Sequence, residues 1–146
     1  MKKILLTAAL LFAGITVTLA GNDRPITVDK VPAAAQNFLK SYFSDLTVAY
    51  AVEDPQFAGS EYEVTYTDRT EVEFDTKGEW TSVDRKYTAV PAAIVPKQIT
   101  DYVAKSNFPN QEIRKIERNA YTWEIELTNG LEIKFDRNFR VIDIDD

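Results

Sequence analysis

The second half of this sequence repeats the first half at a constant offset of 61 residues. When positions 62–84 are aligned with positions 123–145, six of the 23 pairs are identical and the apolar positions coincide. Self-similarity at a fixed spacing is typical of one supersecondary unit used twice. The repeat therefore predicts a tandem architecture within one compact domain, with a first unit over residues 31–88 and a second over residues 89–146.

The first 20 residues have the pattern of a cleaved secretory signal peptide. Lys2 and Lys3 precede an apolar run at positions 4–13, and Ala20 is a small residue at a suitable cleavage point. This run is too short for a stable membrane span. The chain has no cysteine, so lipid attachment through a cysteine is excluded. We expect a periplasmic or secreted protein whose mature chain starts with a polar arm at 21–30 and does not insert into a membrane.

The composition excludes several classes of function. The chain has no histidine and no cysteine, so Ser-His-Asp catalysis, thiol catalysis and histidine-ligated zinc are excluded. Without the first 20 residues, 15 basic and 23 acidic side chains remain, a net charge of about −8. This charge excludes nucleic acid as an expected partner, because phosphate binding needs clustered Lys and Arg.

Each unit has the pattern of one helix followed by four strands. Proline followed by an apolar stripe predicts helices over 31–44 and 96–106. Period-2 alternation predicts strands at 47–53, 61–67, 70–75 and 79–86, and again at 112–118, 122–128, 131–136 and 140–144. Residues 54–60 are expected to form a loop. We therefore predict an α+β fold: about eight antiparallel strands in one sheet, with helices on one face and the other face open.

Several of these segments resemble a known family. Val31-Pro32 and Val90-Pro91 open the helical segments, Phe108-Pro109-Asn110 follows the second helix, and the hairpin at 123–136 contains Asn129-Gly130. This pattern resembles the PepSY-like family of exported bacterial proteins, which is described as similar to the β-lactamase-inhibitor protein. The resemblance implies a periplasmic or extracellular protein with a binding or inhibitory role, and it brings no catalytic residue.

The strand alternation separates core residues from candidate binding residues. Val64, Val72, Ile125 and Ile133 are expected to face the helices, and Trp123 is expected to join them. The side chains of opposite parity are then expected on the open face, where they form a charged surface for a partner: Glu61, Glu63, Glu71, Glu73, Glu124, Glu126, Glu132 and Lys134.

Trp80 is the predicted centre of this binding surface. It lies three positions before Val83, so parity places its indole among the glutamates, and Val141 is the equivalent residue in the second unit. An exposed aromatic side chain among charges is typical of a hot spot for a protein or peptide partner. Phe57 is a further candidate, because the units differ in length at 54–60. The alternative is a solvated face that only maintains solubility.

Catalytic and metal-binding functions receive little support from the sequence. Carboxylates two positions apart, such as Glu71 and Glu73, occur in any alternating acidic strand, and an open face has no cleft to raise a pKa. The acidic end at Asp143, Asp145 and Asp146 lacks the spacing of a calcium loop. We expect no enzyme activity, catalytic residue, cofactor or metal site.

The leading hypothesis is a non-catalytic exported protein that binds or inhibits an unknown protein or peptide through the open sheet face. Two alternatives stay open: a periplasmic protein that binds a small ligand or a cation, and a structural protein associated with the envelope. Pairing of exposed edge strands into a homodimer also stays open.

Overall fold

The computed structural model describes residues 8–11, 14–17 and 21–146. Ala8–Leu11 (β1) and Gly14–Val17 (β2) pair as a two-stranded antiparallel sheet that is separate from the main sheet. The predicted signal peptide includes these two strands, and its other residues lie outside the described part; its cleavage stays a prediction. Neither helix in the described part of the chain has the length and apolarity needed to cross a bilayer.

The main body is one antiparallel sheet of nine strands with two helices, which confirms the predicted α+β class. The strands neighbour one another in chain order, so the sheet is a continuous meander. Its strands are β3 Arg24–Ile26, β4 Val48–Gln56, β5 Gly59–Tyr66, β6 Glu71–Phe74, β7 Trp80–Asp84, β8 Ile113–Arg118, β9 Thr122–Leu127, β10 Glu132–Asp136 and β11 Val141–Asp145.

The two helices cover one face of this sheet. Helix α1 spans Ala33–Tyr42 and helix α2 spans Lys97–Lys105, within two residues of the predicted bounds. Each begins directly after an N-cap proline, whose carbonyl accepts a hydrogen bond from the backbone N–H four residues on. Each also buries two apolar residues four positions apart against the sheet: Ala35 and Leu39 in α1, and Ile99 and Val103 in α2.

A single row of aliphatic side chains crosses all nine strands beneath the helices. We call it the aliphatic row, and the strand registers place its members opposite one another in turn: Ile26, Ala51, Val64, Val72, Val83, Ile116, Ile125, Ile133 and Ile144. The six members from Val64 to Ile133 are at most 1 % exposed. Facing pairs of β-branched residues stabilise a sheet. The row also fixes the register, because a slip of one residue would turn its members toward solvent.

Two predicted segments differ from the structure. The polar arm contains β3, which pairs with residues 51–53 and makes nine strands instead of eight. Ile26 of this strand extends the aliphatic row and packs against the core, and this contact stabilises the pairing of such a short segment. Residues 54–60 are not a loop, because the β4–β5 ladder continues to Gln56 and Gly59 and leaves Phe57 and Ala58 as the turn.

Trp80 lies on the helix-covered face, so the prediction that it faces outward is wrong. On the facing strand, Glu73 pairs with Ser82, whereas the next residue, Phe74, pairs with Trp80. Thr81 is therefore an extra residue in a β-bulge. A bulge interrupts the strict alternation of a strand, so Trp80 shares a face with the aliphatic row.

The prediction that Val141 faces outward is also wrong, again because of a β-bulge. Lys134 pairs with Asp143, but the next residue, Phe135, pairs with Val141, which leaves Ile142 as the extra residue. Val141 is consequently partly buried and packs against the core instead of facing outward. The two bulges occupy equivalent positions of the sequence repeat.

The buried indole of Trp80 connects the two units. Trp80 is 8 % exposed, and its ring lies 6.0 Å from the rings of both Phe38 and Trp123. The guanidinium of Arg118 lies 4.0 Å from the indole centre, and its Nε donates a hydrogen bond of 2.7 Å to the Trp80 carbonyl. Because Phe38 belongs to α1 and Trp123 to β9, the indole packs where the first unit meets the second.

Replacing Trp80 with Ala should lower the free energy of unfolding by about 3–5 kcal/mol, because it leaves a cavity between the units. Tyr87→Ala is the matched control: it removes an aromatic side chain that is 72 % exposed and should cost less than about 1 kcal/mol. Urea unfolding followed by circular dichroism measures both. A Trp80→Ala loss no larger than that of the control would contradict the buried position.

Candidate functional site

The sheet face opposite the helices carries charged side chains in ordered rows. The structure places eight of the predicted site residues on this uncovered face: Glu61, Glu63, Glu71, Glu73, Glu124, Glu126, Glu132 and Lys134. Four of them belong to a row of side chains that lie opposite one another on successive strands from β4 to β11. We call it the acidic row, and its members are Val52, Glu63, Glu73, Ser82, Glu117, Glu124, Lys134 and Asp143.

Two pairs of glutamates face each other directly in the acidic row. The first pair is Glu63 with Glu73, and the second pair is Glu117 with Glu124. Like charges directly opposite on neighbouring strands destabilise a sheet. This arrangement therefore costs folding stability on the face that the helices leave uncovered.

Basic side chains form ion pairs with the second pair but, among the described residues, not with the first. The Nζ of Lys115 lies 2.5 Å from a carboxylate oxygen of Glu117, and the Nζ of Lys134 lies 3.4 Å from Glu124. Among the residues that the structure describes, no ion pair reaches either member of the first pair. The facing carboxylates that lack an ion pair are thus Glu63 and Glu73, in the first unit.

Glu63 is the most perturbed carboxyl of this face. Its side chain is only 6 % exposed, and its Oε1 accepts a hydrogen bond of 3.0 Å from the hydroxyl of Thr65. Burial raises the pKa of Glu63 to about 7; the Thr65 hydroxyl opposes this shift, and the charges of Glu71 and Glu73 add to it. A carboxyl with such a pKa is half protonated near neutral pH, so an approaching cation would change its charge.

Two shallow grooves cross the uncovered face. The first adjoins the first pair and is lined by Val52, Asp54, Glu61, Tyr62, Glu63, Glu73, Phe74 and Thr81. The second is lined by Lys115, Glu117, Glu124, Ile125, Glu126 and Glu132. Both are open to solvent and do not enclose a small molecule as a typical ligand pocket does. Within the described part of the chain, no three carboxylates converge to hold a metal ion.

The remaining predicted site residues lie elsewhere. Trp80 and Val141 belong to the covered face, and Phe57 stands at the tip of the β4–β5 hairpin with a relative exposure of 108 %. Sequence reasoning missed Glu117, although its alternation with the buried Ile116 is a signal that places it on the uncovered face.

The sequence matches a model of a beta-lactamase-inhibitor-like, PepSY-like family over residues 60–143. This chain belongs to the PepSY-like family. The predicted resemblance is thereby confirmed. None of the curated proteins matches this PepSY-like chain.

Three solved structures are similar to this PepSY-like protein. A candidate periplasmic protein of the DUF2874 family from Bacteroides vulgatus is 46 % identical, with a TM-score of 0.83 over 87 % of this chain and 99 % of that one. A candidate calcium-regulated periplasmic protein from Bacteroides thetaiotaomicron is 46 % identical, with a TM-score of 0.81 over 86 % and 98 %. A candidate periplasmic protein of unknown function from Bacteroides vulgatus is 34 % identical, with a TM-score of 0.79 over 86 % and 100 %.

The raised pKa makes Glu63 a source of pH-dependent instability. The ordinary glutamate pKa is 4.5 and that of folded Glu63 is about 7, so the folded state holds this proton more tightly than the unfolded state. The resulting contribution to stability is fully present below pH 4.5 and is lost as the pH rises through 7. Glu63→Gln should therefore raise the free energy of unfolding by about 1–3 kcal/mol at pH 8 and leave it unchanged at pH 4.

Urea unfolding at both pH values tests this expectation. Glu112→Gln, which neutralises an exposed carboxyl outside the strands, serves as the control and should change stability equally little at both. An equal gain at pH 4 and pH 8 for Glu63→Gln would contradict a raised pKa.

Proposed function

We propose that this PepSY-like protein is a non-catalytic periplasmic binding protein whose uncovered sheet face holds a positively charged protein or peptide. The observation that carries the proposal is the first pair, Glu63 opposite Glu73, which lacks an ion pair among the described residues. A Lys or Arg side chain of a partner would remove the repulsion within this pair. Electrostatic complementarity of this kind supplies specificity and a fast association rate.

The shape of the face favours a macromolecular partner. Nine strands spaced about 4.8 Å apart make a surface roughly 38 Å across, enough for the contact area of about 800 Å² per partner in a standard interface. The grooves are open and shallow, which suits protruding side chains better than an enclosed small ligand. Because Trp80 lies in the core, charge rather than an aromatic hot spot carries recognition on this face.

The comparisons support the class and the location of the partner. The family description as beta-lactamase-inhibitor-like supports an exported protein as the partner, and inhibition is the expected effect where the face covers an enzyme's cleft. The periplasmic descriptions of the relatives, together with the predicted signal peptide, support a location in the periplasm.

Neutralising the first unit's carboxylates should abolish capture of the partner. Immobilised wild type is exposed to periplasmic extract of the source bacterium at low and at high salt, and the bound proteins are quantified by mass spectrometry. The variant Glu61→Gln/Glu63→Gln/Glu73→Gln should retain less than about a tenth of the partner that the wild type binds, and high salt should release it from the wild type.

The matched control is Asp29→Asn/Asp45→Asn/Glu112→Gln, which removes the same number of carboxyl groups from exposed positions outside the strands of the uncovered face. It should bind the partner as the wild type does. Equal capture by wild type and the Glu61/Glu63/Glu73 variant, or capture that survives high salt, would contradict the proposal.

Calcium is a second candidate ligand for the same carboxylates. A relative that is 46 % identical is described as a candidate calcium-regulated protein, and the first pair offers two facing carboxylates without a competing ion pair among the described residues. Because no third carboxylate of the described residues converges there, water would supply the remaining oxygen ligands. Oxygen-rich extracellular sites commonly bind calcium at millimolar concentrations. Calcium at about 5 mM should then raise the melting temperature of the wild type by a few degrees and that of the Glu61/Glu63/Glu73 variant by much less. An equal shift in both proteins, or in neither, would exclude this site.

A further inference from the structure

The β4–β5 hairpin extends further than its counterpart in the second unit. Tyr50 pairs with Thr65, and the equivalent residues Lys115 and Glu126 pair in the second unit. The segment from Tyr50 to Thr65 is four residues longer than the segment from Lys115 to Glu126. Strand β4 is three residues longer than β8 and β5 is two longer than β9, while the turn is one residue shorter. At the rise of a β-strand, the tip stands about 7 Å beyond the position of the shorter hairpin.

An aromatic ring occupies this tip without any cover. Phe57 has a relative exposure of 108 %, the highest among the exposed large apolar side chains of the described residues. Scattered exposed apolar residues are common on protein surfaces, so the exposure acquires meaning only from the surroundings of the ring. Two features of those surroundings point to a partner.

The first feature is that the hairpin is held in one shape. The hydroxyl of Ser60 donates a hydrogen bond of 2.6 Å across the ladder to Oε1 of Glu53. Gly59 has a φ of 127°, and a Cβ at that position would lie 3.1 Å from Cγ2 of Thr76, so the hairpin rests against the β6–β7 turn. An anchor that is already ordered loses little conformational entropy when it binds.

The second feature is charge that continues from the proposed site. Residues 53–61 contain Glu53, Asp54 and Glu61 and no basic residue. Asp54 and Glu61 face each other in the ladder, and both line the groove beside the first pair. The exposed ring therefore stands at the end of the surface whose carboxylates are proposed to hold a basic partner.

We propose that the β4–β5 hairpin inserts Phe57 into an apolar pocket of the partner protein, and that Lys or Arg side chains at the rim of that pocket contact Asp54 and Glu61. This inference rests on the proposed function and adds the mode of docking. A bilayer is the less favoured target, since the flanking acids are repelled by anionic headgroups. A buried aromatic anchor with charged surroundings is the usual composition of an interface hot spot.

The experiment uses the protein that wild type captures from periplasmic extract, purified and titrated against each variant. Phe57→Ala should weaken Kd at least tenfold, and Phe57→Leu should weaken it less, because leucine keeps part of the apolar contact. Tyr87→Ala, an exposed aromatic at the opposite end of the sheet, should stay within twofold of wild type. A Phe57→Ala value within twofold of wild type overturns the inference. Because the Phe57 ring has no cover, both Phe57 variants should keep the circular dichroism spectrum and melting temperature of the wild type.

The Glu61/Glu63/Glu73 variant separates this inference from the proposed function. If that variant loses binding and Phe57→Ala does not, the insertion is overturned and the charged face is supported. Loss of binding in Phe57→Ala alone supports the insertion of the ring, but it overturns both the charged face and the rim contact to Glu61. If wild type captures no protein from the extract, both the insertion and the charged face are overturned.

Two further outcomes place the ring elsewhere and overturn the insertion. One is cosedimentation of wild type, but not Phe57→Ala, with vesicles of phosphatidylethanolamine and phosphatidylglycerol. The other is self-association in analytical ultracentrifugation that Phe57→Ala abolishes.

Discussion

The structure depends on the aliphatic row, to which each of the nine strands contributes one side chain. Packing this row beneath α1 and α2 sets the register of every neighbouring pair of strands, because a slip by one residue exposes the whole row. The same register determines what the other face carries. Each glutamate of the acidic row is fixed opposite its neighbour as a consequence of apolar packing on the far side of the sheet. One strand register thus determines both the packing of the core and the arrangement of the candidate site.

This constraint explains how much of the molecule the sequence predicts. Where a strand alternates without interruption, a period of two assigns faces correctly, and Glu63 and Glu73 lie where alternation puts them. A period of two assigns Trp80 and Val141 to the wrong face, because a bulge adds one residue to each of their strands. A signal for the bulges exists in the sequence: Trp80 precedes Val83 by three positions, as Val141 precedes Ile144, and apolar residues three apart do not share a face in a regular strand. Strand β3 is too short to alternate visibly, so its pairing depends on tertiary packing alone.

The two units differ in the ion pairing of their facing glutamates and in the length of their first hairpin. In the second unit, Lys115 and Lys134 compensate the facing glutamates, and the first hairpin is short. In the first unit, the facing glutamates lack such partners among the described residues, Glu63 is buried with a raised pKa, and the hairpin is longer. Selection for stability alone would favour the compensated arrangement in both units. The uncompensated charge and the exposed ring lie in the same unit, which is why both are assigned to one docking surface.

The most direct test of the account is to titrate the side-chain carboxyls by NMR, with and without an oligolysine peptide as a cationic probe. Glu63 is expected to titrate near 7 in the free protein, and the peptide should lower this pKa by about one unit or more, because a nearby positive charge favours the ionised carboxylate. The resonances of the exposed Glu132 should move far less. A Glu63 carboxyl that titrates near the ordinary value of 4.5, and that does not respond to the peptide, would contradict the claim that this face holds repulsion for a basic partner to relieve.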